Sequence, residues 1–429
     1  MTLKLLAMGD LHLGRSPTRL PSSLASQAIA FAPRTAWTRC IDLAIAESVT
    51  AVILAGDVVE SVHDYFEALG ELQAGVAKLA RHNIRTIAVS GNHDVDVLPK
   101  LTAQIAECEL LGATGQWQST VIGSAEESSA DRITLWGWSF PTPSVSDSPL
   151  AEFPGRQGSG LNIGVLHCDR DQPASYHAPV TTRALKDTGL DAWLLGHIHQ
   201  PDALSKENPS GYLGTVSGLD AGESGPRGPW MITIDRGDIT RFEQIPLAPI
   251  RWQPLSVDIT GCAGPNDLEG TLTTALKTLG EQITQARALP DLIGIRLRFQ
   301  GESDFSTQQL LDVVPESDHP FGLPGRPEVQ WFIERCLLDV RPITPLEQLA
   351  ERGDQPGLLA QQLLVLQQPI DHPERNALLD QAEQQAQKAL SQSRWQGLSS
   401  SPPNRDQIAE WLRQSAQDAL RAMLQAEAR

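Results

Sequence analysis

The chain reads as an α/β protein in three parts. These are a large strand–helix domain over residues 1–250, a small α/β capping domain over 255–340 and a helical segment over 373–429, with 341–372 as a linker. Three observations predict this. Short Val/Ile/Leu/Ala runs ending in Gly and polar residues alternate with amphipathic stretches through the first 250 residues, as in strands covered on both faces. Pro246–Pro254 then interrupts the pattern before a second strand–helix–strand series. Beyond residue 372 strand patterning stops and two helical stripes remain.

Taken in order, Leu3–Met8 is the first strand, and Arg34–Val49 a helix starting after Pro33 with Trp37, Ile41, Ala44 and Ile45 on one face. Ala51–Ala55 is a strand, and Asp64–His82 a helix with Phe66, Leu69, Leu72, Val76 and Leu79 at helical spacing. Strand Ile84–Val89 leads to a third helix over Leu98–Leu110. Ser124–Asp131 is a polar turn and Val145–Gly160 a surface loop. Leu161–Leu166 and Trp193–Leu195 are strands, and Trp230–Asp235 with Thr240–Ile245 form a hairpin about Gly237-Asp238.

The small domain reads as strand, helix (Leu268–Ala288), strand (Leu292–Phe299), short helix near Thr307–Val313 and closing strand near Glu334–Val340. The linker holds one apolar segment, Leu358–Leu366. Asp371-x-x-Glu374 starts a helix, a Gly397–Pro403 turn ends it, and Asn404 caps a second helix with the stripe Ile408, Trp411, Leu412, Ala416, Ala419, Leu420, Met423 and Leu424. An isolated pair of short helices is marginal, so this stripe packs on its own core or meets another chain.

Five of the strands end in metal-ligand side chains: Asp10-Leu11-His12, Gly56-Asp57, Gly91-Asn92-His93-Asp94, His167 and Gly196-His197-Ile198-His199. In open α/β sheets ligands sit beyond the carboxyl ends of strands, so the five tips converge. A lone His after a strand is usually a satisfied polar residue. Five clusters agreeing in position and chemistry point instead to a shared cation site. Period-two alternation would put both members of Asp-x-His and of His-x-His on one side of an extended segment. Imidazole, carboxylate and amide oxygen without clustered thiolates suit hard or borderline divalent cations.

Composition sets limits. The net charge of −18 opposes autonomous binding to a polyanion, and residues 1–250 carry 18 Lys/Arg against 28 Asp/Glu. No apolar run is long enough to span a bilayer, and the N-terminus enters a strand directly, so a cytoplasmic enzyme is expected. Five scattered cysteines without a CxxC fit reduced thiols, and Cys168, beside His167, reads as a packing residue.

These five clusters resemble the signature of the calcineurin-like metallophosphoesterase superfamily: D-x-H, G-D, G-N-H-D/E, H and G-H-x-H. Within it, Gly9–Gly14, Leu194–Gln200, Gly222–Gly228 and, more weakly, Ile295–Gly301 resemble SbcD-like DNA-repair exonucleases, nearest to their YhaO-like branch. The resemblance implies a four-layer α/β/β/α sandwich with a capping domain. It implies two divalent ions, with manganese favoured: Asp10, His12, Asp57 and His199 hold one, and Asp57, Asn92, His167 and His197 the other. His93 then acts on the leaving group, with Asp94 orienting its ring. It further implies DNA as substrate, weakly held by this chain alone, and an SbcC-like coiled-coil ATPase partner docked by the C-terminal helices, with homodimerisation left open.

Phosphodiester hydrolysis needs an activated water, charge neutralisation and a proton for the leaving alkoxide, and two cations about 3.5–4 Å apart supply the first two. One departure from the family pattern is Val58-Val59-Glu60, where Leu-Tyr/Phe-Asp/His is usual. His63, His82, His177, His319 and His372 match no ligand position and read as surface or structural. Two other classes stay open: a small-molecule phosphodiesterase or phosphatase, and a non-catalytic scaffold of an ATPase complex.

Overall fold

The computed structural model describes residues 2–123, 132–158, 160–283, 289–323, 326–390 and 403–427. It divides into two compact units, Met1–Arg341 and Pro342–Arg429.

In the first unit, β1 (Thr2–Met8), α1 (Pro33–Ala46), β2 (Ala51–Ala55), α2 (Tyr65–Arg81), β3 (Arg85–Val89), α3 (Leu98–Thr102) and β4 (Cys108–Leu110) build a parallel run β1-β2-β3-β4. A second, five-stranded sheet follows: β5 (Gln118–Ile122), β6 (Ile133–Trp138), β7 (Leu161–His167), α4 (Thr182–Asp187), β8 (Ala192–Gly196) and β9 (Ser210–Tyr212). The hairpin β10 (Trp230–Asp235) and β11 (Asp238–Gln244) returns to the first sheet, antiparallel to β1.

Alternation explains why these strands are continuously apolar. Leu5, Ala7, Ile53, Ala55, Ile87 and Val89 face Ile133, Leu135, Ile163, Val165 and Leu194 of the other sheet in one buried cluster. Their neighbours Leu6, Met8, Val52, Leu54 and Ala88 pack under Trp37, Ile41, Leu72, Val76 and Leu79 of α1 and α2. Leu166, Trp193 and Leu195 cover the outer face of the second sheet with Leu185 of α4. The layers are therefore α/β/β/α, as expected, with the fourth layer thin.

The helix expected over Leu98–Leu110 stops at Thr102. Cys108–Leu110 is instead the edge strand, paired with Thr86–Ala88, because sheet hydrogen bonds outweigh a weak helical pattern. The Ser124–Asp131 turn lies outside the described residues.

The cap consists of β12 (Ile250–Asp258), α5 (Pro265–Ile283), β13 (Leu292–Glu302), α6 (Thr307–Asp312), β14 (Phe321–Leu323) and β15 (Arg326–Arg341), in sheet order β12-β13-β15-β14. It starts before the expected boundary: Pro254 lies inside β12, an edge strand where a missing N–H is tolerated. Leu268, Leu272, Leu276 and Leu279 of α5 cover one face of this sheet. On the other face Trp252, Leu292 and Phe332 meet Leu24, Phe31 and Ala221 of the larger domain. Glu334 joins Arg296 (2.9 Å) to Arg19 (2.8 Å), and Trp252 Nε1 donates to the Gly218 carbonyl (3.1 Å). The cap is thus part of the first compact unit.

The second unit holds α7 (Leu346–Ala350), α8 (Gln355–Leu366), α9 (Pro373–Leu390) and α10 (Arg405–Glu427). Its core joins Leu346, Leu349, Ala360 and Leu363 to Ala416 and Leu420. The stretch 341–372 is therefore not a linker. Asp354 caps α8 by accepting from Gly357 N (3.0 Å), and the apolar run Leu358–Leu366 needs α10 to bury it. Asn404 and Gln407 cap α10 reciprocally, at 2.8 and 2.9 Å. Residues 397–402 of the expected turn lie outside the described residues.

Candidate active site

The C-terminal ends of β1, β2, β3, β7 and β8 bring all seven expected ligands together. Four of them arrive by tight turns and not on extended segments. Asp10, His12, Asp57 and His197 all have positive φ, of 47°, 49°, 47° and 99°. The period-two expectation for Asp-x-His and His-x-His is corrected accordingly. Non-glycine residues in this region cost about 1–3 kcal/mol each and cluster where function demands them. Close approach explains two of the glycines beside the ligands. A Cβ at Gly91 would meet Asp57 Oδ1, and one at Gly196 would meet the Ala55 carbonyl.

Among the described residues four groups of possible ligands result, two of them adding Glu60 and His93 to His12 or Asp169 and His177 to His197, and the other two made of expected ligands alone. In one, Asp10, His12 and His199 converge, with the Nε2 atoms of the two rings 3.2 Å apart. In the other, Asp57, His167 and His197 converge, and His167 Nε2 lies 3.0 Å from Asn92 Oδ1. Asp57 Oδ2 stands between them, 3.3 Å from His167 Nε2 and 4.0 Å from His12 Nε2. Its other oxygen accepts from His93 N (3.0 Å), and Asp10 accepts from His197 N (3.0 Å).

The fully buried Asp10 and Asp57 meet only backbone N–H groups and imidazoles among the described residues, with no Lys or Arg. A buried carboxylate pair in that setting calls for a cation. The donor set fits a divalent metal: His12 and His199 with Asp10 at one position, His167, His197 and Asn92 at the other, and Asp57 to both.

The electrostatics of the cluster agree. Burial raises the Asp10 carboxyl, with Asp57 adding to it and the imidazoles opposing. Burial also opposes the charge on His167, but Asp57, Asp10 and the Ala55 carbonyl together hold it up at about 9. Desolvation and His167 push His197 down to about 4. These are mutual shifts of acids and imidazoles packed together, which a bound cation would reset.

His93 is exposed at the mouth, its Nδ1 3.1 Å from the Glu60 carbonyl oxygen. Asp94 does not orient that ring. Its carboxylate accepts from Gly91 N (2.8 Å) and from Val58 N (2.7 Å), tying the loop after β3 to the loop after β2. Burial and the neighbouring Asp57 push it up to about 7.

Several neighbours escaped the sequence reading. Glu60 Oε2 lies 2.6 Å from His12 Nδ1, and Glu223 accepts from His199 Nδ1 at 2.6 Å. Asp169 Oδ1 lies 3.4 Å from His197 Nε2, and His177 stacks on His197 at 4.8 Å between ring centroids, so His177 borders the site. Asp169 carries a local signal, two residues after His167; Glu223 carries none, being 24 residues from His199. Arg227, fully buried, donates to the carbonyls of His199 and Ser224 and to Gln200 Oε1, which explains the Gly222–Gly228 stretch as the brace of the Gly196–Gln200 loop. Cys168 is buried against β8, and desolvation pushes its thiol far up, consistent with packing.

A model of the calcineurin-like phosphoesterase family matches residues 3–201. Residues 3–201 form a calcineurin-like phosphoesterase domain. The chain is also similar to YhaO, an uncharacterized metallophosphoesterase of Bacillus subtilis (strain 168), with 25% identity over 269 residues, 61% of this chain. The match spans 62% of that relative's length. Among solved structures, a dimetal phosphatase from Danio rerio aligns with TM-score 0.34 and 10% identity, over 57% of this chain and 96% of its own. The calcineurin-like phosphoesterase YfkN from Bacillus subtilis aligns with TM-score 0.34 and 11% identity, over 65% of this chain and 99% of its own. The match ends close to His199, whereas Glu223 and Arg227, which hold that histidine's loop, lie beyond it. Among the described residues no helix is long and apolar enough to cross a membrane.

Proposed function

We propose that the protein is a two-metal phosphodiester hydrolase acting on DNA together with a coiled-coil ATPase, in the cytoplasm and with manganese as the preferred ion. The observation that carries the hydrolase reading is Asp57: one carboxylate oxygen reaches two clusters, each with two further histidines. Two divalent ions held there supply charge neutralisation for phosphoryl oxygens and acidify the attacking water. This chain's own residues do the rest. Asp10 and Asp57 give the site its negative charge, the four histidines offer ring nitrogens around them, and Gly91 and Gly196 allow the loops to close around it. His93, exposed and held at Nδ1 by a carbonyl, can give a proton to the leaving oxygen.

The ATPase reading is supported by the second unit. Its apolar groove of ≈ 520 Å³ between α8, α9 and α10 is lined by Leu366, Leu378, Ile408 and Trp411, and Trp411 is 54% exposed. A helix laid in such a groove would use Trp411 as its anchor. The net charge of −18 favours one alternative, a small-molecule phosphodiesterase. Purified protein with Mn2+ on bis-p-nitrophenyl phosphate, p-nitrophenyl phosphate and labelled DNA separates the readings. The proposal expects the diester to be cleaved faster than the monoester, and DNA cleavage to rise when the ATPase is added. Monoester preference with inert DNA would contradict it.

A further inference from the structure

We propose that Glu60 and Glu223 are positioning residues that lock His12 and His199 in the tautomer offering both Nε2 lone pairs to one cation, making the Asp10–His12–His199 position the tighter of the two. The inference rests on the two-ion reading above and assigns roles to two residues outside the ligand set.

Both contacts are short; the one to His199 is a hydrogen bond and the one to His12 an ion-pair contact. Glu60 Oε2 lies 2.6 Å from His12 Nδ1, and Glu223 Oε1 lies 2.6 Å from His199 Nδ1. The Glu223 carboxylate is held by hydrogen bonds, and the Glu60 backbone is tied to the segment that carries His12. Glu60 N donates to the Leu13 carbonyl (3.0 Å), in the segment that carries His12. Glu223 Oε2 accepts from Leu219 N (2.9 Å) and Thr215 Oγ1 (3.3 Å). An anion at Nδ1 keeps the proton on that nitrogen and leaves Nε2 bare. Both rings then turn a bare Nε2 toward the other at 3.2 Å, an arrangement that repels until a cation shares the two lone pairs.

The second cluster has an outer carboxylate at one ring only, and at a longer distance. His167 Nδ1 meets the neutral Ala55 carbonyl at 3.2 Å, His197 Nε2 meets Asp169 at 3.4 Å, and Asn92 is uncharged. Outer carboxylates raise imidazole basicity, and their loss typically costs about 10–100-fold in metal affinity. The Glu60 position is also where the chain departs from the family signature.

The test is calorimetric titration of the chelator-treated full-length protein with Mn2+, for wild type and the variants Glu60→Ala, Glu60→Gln, Glu223→Ala and Glu223→Gln. Thermal melts of the ion-free forms check folding, and the isosteric Gln variants carry the test if the Ala variants do not fold. Wild type should bind two ions with unequal affinity. Both Ala variants should weaken the tighter ion about 10–100-fold and leave the weaker one in place, with Gln, whose amide oxygen still accepts from Nδ1–H, falling between. Unchanged affinities, or equal weakening of both ions, would overturn the inference while leaving the two-ion reading intact. A wild type that binds no ion would overturn the two-ion reading, and this inference with it.

Discussion

Asp57 touches more of the site than any other side chain, since its oxygens reach His93 N, His167 and the edge of the His12 cluster. Asp57→Ala should therefore remove both ions, measured by elemental analysis of dialysed protein. Retention of two ions would mean that Asp57 is not shared. His93 stands at the rim, its Nδ1 against the Glu60 carbonyl and its ring edge-on to His12 at 5.2 Å between centroids. His93→Ala should keep both ions while kcat falls about 10²–10⁴-fold. Loss of an ion in that variant would make His93 a ligand. The convergence of the candidate ligands was legible in the sequence because each sits in a short motif at the end of an apolar run. The role of Asp94 was not: sequence adjacency to His93 suggested a ring contact, whereas the loops needed its carboxylate for their backbone N–H groups.

At the scale of elements, the strands were readable because burial on both faces leaves unbroken apolar runs, and α1 and α2 because each shows a single apolar face. The Leu98–Leu110 segment misled, since a three-residue edge strand carries almost no periodicity of its own. Contacts between distant elements left no sequence trace. Gly196 shows what such contacts demand: its α-hydrogen side lies against the Ala55 carbonyl, between the two sheets. Gly196→Ala should cost about 1–3 kcal/mol by overpacking, seen as a lower Tm and a weakened ion site. Glu334 clamps the cap. Burial opposes its charge, yet Arg19 and Arg296 hold its carboxyl below the usual 4.5. A depressed carboxylate contributes stability that is complete above about pH 4.5 and is lost as pH falls through the folded value. The stability gap between wild type and Glu334→Gln in urea should be present at pH 7 and shrink toward pH 3. A gap independent of pH would assign the effect to packing.

At the scale of the whole molecule, the expected three-part plan becomes two compact units, because the cap shares an apolar face with the larger domain and the supposed linker supplies most of the helical core. The natural cut is thus after Arg341, where both cores stay whole. A chain ending there should keep hydrolysis of a small diester and lose ATPase binding; loss of the hydrolysis would mean that the helices support the site. The acidic balance bears on DNA at this scale too. Binding of duplex DNA by the protein alone should be weak and fall steeply between 50 and 200 mM salt, on the order of the counterion-release slope. The most direct test of the central claim is the initial rate of bis-p-nitrophenyl phosphate hydrolysis against Mn2+ concentration, for wild type and Asp57→Ala side by side. The two-metal account predicts a wild-type rate that saturates with Mn2+ and vanishes with chelator, and an Asp57→Ala rate lower by about 10³-fold at every concentration. A wild-type rate indifferent to chelator, or an Asp57→Ala rate equal to wild type, would contradict it.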